Sequence, residues 1–192
     1  MTYLILGLIL FLGAHSVRIV AEDWRSRRLA QLGPGGWKGL YSVVSGLGLV
    51  LLIWGFGQAR QAPVALWFPP VGLRHLASLM MLASMVLLAA AYVPANRIKA
   101  RLHHPMVLGV KLWALAHLLA NGNLAHVLLF GSFLVWAVLD FRAARARDRR
   151  QQTAYPAGTP GATLLTLAIG LLAWLVLAFG LHGWLIGVRP LG

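Results

Sequence analysis

The 192-residue sequence predicts an all-α fold, a polytopic six-transmembrane-helix bundle, and three observations predict it. The chain is 59% hydrophobic and only 11% charged, with mean hydropathy +0.76, whereas a soluble domain carries about a quarter charged residues. Apolar runs close to the roughly 20 residues needed to cross a bilayer recur six times. The bases are concentrated in short stretches between those runs. A net charge of +13 therefore reads as membrane topology, and no nucleic-acid partner is expected. The absence of cysteine removes disulfides, thiolate haem ligation, iron–sulfur clusters and Cys-based zinc sites.

The first run, 2–20, has no basic segment before it and ends at Arg18 and an Arg cluster, so it reads as a retained helix rather than a cleaved signal. In the second, 40–57, Gly46 and Gly48 allow a neighbouring helix to approach closely. The third, 73–93, stops before Pro94. The fourth, 105–120, carries Pro105 in its first turn, where proline is tolerated. Asn121, Gly122 and Asn123 are turn residues, so the fifth run, 123–139, returns antiparallel to the fourth. The sixth is 162–186. One membrane domain, 1–192, accounts for the whole chain. The basic loop 141–161 is the only long connection, Arg-rich first and then rich in Gly, Pro and Thr. It is expected to be solvated and partly mobile, with contact to anionic lipid headgroups as the alternative. Trp24, Trp37, Trp67, Tyr92 and Trp184 fall near run ends, as an aromatic belt does.

Orientation follows from the bases. Thirteen lie in the first, third and fifth connections: Arg18, Arg25, Arg27, Arg28 and Lys38, then Arg97, Lys99 and Arg101, then Arg142, Arg145, Arg147, Arg149 and Arg150. Only Arg60, Arg74 and Arg189 lie on the other side. This bias predicts odd-numbered connections in the cytoplasm and both termini periplasmic.

Glu22, Asp23, Asp140 and Asp148 all map to the basic side, so carboxylate relays and carboxylate-bridged metal pairs have no support. Histidine is the remaining chemistry. His15 follows Gly13 and Ala14, with Arg18 one turn on; His117 follows Trp113 and Ala114. Two neutral imidazoles without Cys or acid suit a b-type haem better than zinc or non-haem iron. Arg18 would serve the propionates, with Lys111 or Arg101 as second choices. The competing reading is that each histidine only hydrogen-bonds a neighbouring helix. Helical rise offsets His15 and His117 by roughly 10 Å in depth, which permits a shared ligand without demanding one. His103–His104–Pro105 opens the fourth run, as a second ligand site or a wet helix start. His75, His126 and His182 group near the opposite surface. Lys111 divides evenly between a functional role and snorkelling to the cytoplasmic surface.

The segments WKGLYSVVSGLGLVLLIWGFG (37–57), LHHPMVLGVKLWALAHLLANG (102–122) and LHGWLIGV (181–188) resemble the NnrU family of bacterial inner-membrane proteins, nearly end to end. That resemblance implies a six-span membrane protein associated with denitrification, that is, nitrite and nitric oxide reduction. It also implies a relationship to plant 15-cis-ζ-carotene isomerase, which binds haem b; its functional histidines lie in motifs similar to those around His15 and His117. Ala114 stands where that relative has an alternative cysteine ligand, and His103 where an Arg is usual. The resemblance thus implies haem b on His15 and His117, with denitrification enzymes or a lipid-soluble small molecule as partners. A haem-dependent isomerase or oxidoreductase acting on an isoprenoid is the alternative, and a cofactor-free scaffold or partner subunit is another. HHPMVLG (103–109) is also similar to the RHPxYxG stretch of membrane methyltransferases, but the downstream acidic pair of those enzymes is missing.

Overall fold

The structure, a computed structural model, describes residues 1–191. It is 81% helical, with no strands among the described residues. The helices are α1 (Thr2–Val20), α2 (Glu22–Ala59), α3 (Gly72–Tyr92), α4 (Arg97–Leu102), α5 (Pro105–Ala120), α6 (Leu124–Gln151), α7 (Pro160–Val176) and α8 (His182–Ile186). A π-helical turn, Leu177–Leu181, joins the last two. Five helical stretches are long and apolar enough to cross a membrane, α7 to α8 counting as one; α5 is shorter at 16 residues. Isoleucines, leucines and valines crowd the exposed surface, as expected where the solvent is lipid.

The helices stand in the spatial order α2–α1–α6–α5–α3–α7. Glycine sets the tightest contact. A Cβ on Gly7 would meet the Leu52 backbone nitrogen at 2.5 Å, and one on Gly48 would meet that of Phe11 at 2.6 Å. α1 and α2 therefore approach backbone to backbone, the small-residue packing that membrane helices use. In the other half, Ser84 donates to the Gly109 carbonyl at 2.8 Å and Trp174 to that of Ser78 at 3.1 Å. α6 carries the contact between the halves, touching α1 on one flank and α5 on the other.

Two connections between the apolar runs, the first and the start of the expected loop 141–161, are helical. Residues 22–32 form the first limb of α2, which breaks where Gly33 takes φ 70° and Pro34 withholds its N–H. Arg25 over Trp37 at 5.8 Å and Trp24 against Trp37 at 6.0 Å clasp the two limbs. Residues 141–151 continue α6, because Ala and Arg are strong helix formers whatever their hydropathy. The rest of the expected mobile loop is tied down. Thr159 N–H donates to the Ala95 carbonyl at 2.8 Å, and Arg97 N–H to Thr163 Oγ1 at 3.0 Å. Asn96 is 1% exposed; it caps α4 and donates to the carbonyls of Ala90 and Val93 at 2.9 and 2.6 Å.

Candidate functional site

His15 and His117 are built alike. Each half-buried imidazole donates Nδ1–H to the carbonyl one turn back, His15 to Phe11 at 2.7 Å and His117 to Trp113 at 2.9 Å. That bond selects the tautomer and leaves Nε2 with its lone pair uncommitted, the state required of a metal-ligating imidazole.

The structure does not bring the two rings together. They meet α6 at different places, His15 near Trp136 (6.0 Å between centroids) and His117 stacked on Phe130 (4.4 Å). Those α6 levels differ by about 9 Å of helical rise. Between them runs a ladder of rings: Phe11 on Phe133 at 5.8 Å, Phe133 on Trp113 at 5.4 Å, and Trp113 on His117 at 5.4 Å. Beside His15, the indole N–H of Trp136 is buried without a partner and borders a shallow hollow with Ser16 and Ser132.

His117 instead has histidine neighbours that sequence reasoning left at the surface. His182, on α8, lies 6.5 Å away with its plane inclined 26° to that of His117. Its Nδ1–H donates to the Val188 carbonyl at 2.6 Å, so its Nε2 is also uncommitted. His126 bonds Asn123 through Nδ1 and packs on Phe130 at 5.9 Å, with Phe130 also covering His117. Arg60 closes this end, donating to the Ile186 carbonyl at 2.8 Å and so tying the end of α2 to α8.

The expected cations lie elsewhere. Arg18 is half exposed and pairs with Glu22 at 3.7 Å. Lys111, half-buried, precedes His117 by about 9 Å and stands roughly 120° round α5. Arg101 is exposed on α4. Among the described residues no cluster of three or more His, Asp or Glu is arranged to hold a metal ion.

The basic end carries a second polar cluster. His104 Nε2–H donates to Asp148 Oδ2 at 2.7 Å, and the Tyr155 hydroxyl reaches both carboxylate oxygens at 3.1 and 3.2 Å. His103 stacks on Tyr155 at 4.0 Å, and the Arg145 guanidinium contacts His103 Nδ1. Burial pushes the Asp148 carboxyl up, but His104, Tyr155 and Arg145 outweigh it and hold it below the usual carboxylate range. Burial and the neighbouring Asp148 raise the Tyr155 hydroxyl. His103 has φ 67° and ψ −51°, and the His104 N–H reaches back to the Leu102 carbonyl at 2.8 Å. This is a γ-turn of the rare, strained hand. The two histidines were candidates in the sequence; their partners, more than 40 positions on, were not.

A family model described as "NnrU protein" matches residues 3–190. No curated protein and no solved structure matches the chain.

Proposed function

The chain belongs to the NnrU family, and from that premise we propose that it is a bacterial inner-membrane protein that binds b-type haem and supports nitrite and nitric oxide metabolism. The carrying observation is the paired chemistry of His15 and His117. Both imidazoles place Nδ1 on an i−4 carbonyl and leave Nε2 free, set among aromatic rings inside an apolar chain. The rings stand apart, so either imidazole by itself would be the one to hold the iron through Nε2. The unpartnered indole N–H of Trp136 adds an unused donor facing the His15 side. When bound, a haem supplies one-electron chemistry and a coordination position for small apolar molecules.

The protein's own part is binding and orientation. The carbonyls of Phe11 and Trp113 fix the ligand tautomers. Phe130 stacks on the His117 ring, and the Phe11–Phe133–Trp113 ladder stands between the two histidines. Both termini face the periplasm in this reading, since the Arg-rich connections favour the cytoplasm. A second reading, a haem-dependent cis–trans isomerase of a carotenoid or other isoprenoid, draws on the same ladder, which offers a conjugated apolar chain a row of ring faces. Absorption spectra of the purified, folded protein with and without reductant test the premise. A Soret band weakened in His117→Ala supports it, and its absence from folded wild-type protein overturns it. Turnover of a cis-polyene by the pure protein would select the isomerase.

A further inference from the structure

We propose that the first limb of α2, residues 22–32, is an interfacial helix that docks on anionic phospholipid headgroups of the leaflet at the basic end. The proposal does not rest on the haem reading. Trp24, Arg28 and Leu32 follow one another at i, i+4 and i+8, so they share one stripe of the helix. The stripe is open, with Trp24 42% and Leu32 48% exposed. Arg25 and Arg27 flank it, while Asp23, Ser26 and Ala30 occupy the opposite side. Bulky apolar side chains enter the boundary between headgroups and acyl chains, and arginines beside them reach the phosphates. The small and acidic residues are turned away from that charge.

Position and charge both direct this face to lipid. α2 stands at the end of the row of helices, with α1 as its main neighbour and only slight contact with α6. The α1–α2 register sets Gly7 against Leu52, Phe11 against Gly48 and Leu4 against Gly55, which brings Val20 level with Gly39. From that level the chain leaves along an arm of about 16 Å, residues 22–32, and returns along one of about 8 Å, residues 34–38. Unequal arms meet at Gly33 only if the longer one leans off the bundle axis, towards the plane of the membrane. Glu22 is engaged by Arg18 at 3.7 Å, whereas Arg25, Arg27, Arg28 and Lys38 have no acid partner among the described residues. Arg25 is held over Trp37 at 5.8 Å and Arg28 over Trp24 at 5.7 Å, with one Arg28 N–H given to Gln31 at 3.0 Å. These guanidiniums are stationed in advance, and their remaining N–H groups suit phosphate oxygens. Topology alone asks for bases at this end; it asks neither for a helix nor for an exposed Trp–Leu stripe among them.

The chain has no cysteine, so a single introduced one can carry a nitroxide: Gln31→Cys beside the stripe, or Ala30→Cys on the opposite side. The full chain is reconstituted into phosphatidylcholine bilayers with or without phosphatidylglycerol. Paramagnetic resonance then reads collisions with oxygen, which dissolves in lipid, and with a water-soluble nickel chelate. With phosphatidylglycerol, the probe at 31 gains oxygen collisions and loses nickel collisions, while the probe at 30 stays in water; concentrated salt weakens the change. Adding Arg27→Gln weakens docking roughly fivefold, read from the phosphatidylglycerol content at half-change, and Arg27→Lys in its place keeps it. Identical collision rates in the two lipids would overturn the proposal. So would a probe at 31 that is already immobile and shielded in phosphatidylcholine alone, the mark of a protein partner or a second copy on this face.

Discussion

The α1–α2 contact makes a sharp prediction, because one glycine is crowded and another two positions away is not. Gly48→Ala places a Cβ 2.6 Å from the Phe11 backbone nitrogen and 2.9 Å from its Cα, where no flexible side chain can yield. Restoring ordinary van der Waals contact requires α1 to retreat by roughly 1 Å along its length. Overpacking of this kind costs about 1–3 kcal/mol. Gly46→Ala meets nothing within 4 Å. Each substitution gains the same helix propensity, about 1 kcal/mol, so the difference between the variants isolates the steric cost. SDS titration in mixed micelles, followed by tryptophan fluorescence, should place Gly48→Ala about 1–3 kcal/mol below Gly46→Ala. The retreat also moves the Phe11 carbonyl that holds His15, so the environment of that ring should change in Gly48→Ala alone. Equal stability of the two variants would refute the backbone-to-backbone contact.

Asn96→Ala should cost about 1–3 kcal/mol in the same assay, since it leaves the buried carbonyls of Ala90 and Val93 without their donor. Asp148→Asn should release the segment around Tyr155, and trypsin should cut at Arg149 or Arg150 roughly tenfold faster, the effect of about 1.4 kcal/mol from a lost charged hydrogen bond. The same segment should report pH. The lowered Asp148 carboxyl stabilises the fold above its unfolded value of about 4, and that contribution is lost as pH falls through its folded value. The raised Tyr155 hydroxyl contributes fully below about 10, and its part is lost as pH climbs through its folded value. The protection factors of the amides in 152–159, each taken against intrinsic exchange at the same pH, should therefore be highest between those limits; monotonic protection across them would contradict the cluster.

Hydropathy alone located the apolar runs, since lipid demands length and apolarity from every crossing. It missed the first limb of α2 and the end of α6 for one reason: an Arg-rich helix lying outside the hydrocarbon has no apolar signature. Its propensity signal was present in Arg142–Ala143–Ala144–Arg145, where all four residues favour helix. The tautomers of His15 and His117 depend on i−4 carbonyls, and the depth offset between the rings followed from helical rise, so both were local matters. The approach of His182 to His117 was not local. It requires α7 to continue through the π-turn into α8 so that residue 182 comes level with His117, and LAFGL carries no composition signal for that turn. The pairing of His104 with Asp148 likewise depended on α6 running three turns further than its apolar stretch.

The place of α6 has a consequence for biosynthesis. A ribosome delivers the helices in chain order, yet the sixth stands in the middle of the finished row, between α1 and α5. The α1–α2 hairpin and the α3–α5 pair must therefore wait in the bilayer as separate pieces tethered by residues 60–71, each with one flank open to lipid. Only when residues 124–151 emerge can the halves be joined, and a delay or lesion in that stretch would strand two well-formed hairpins rather than unfold either.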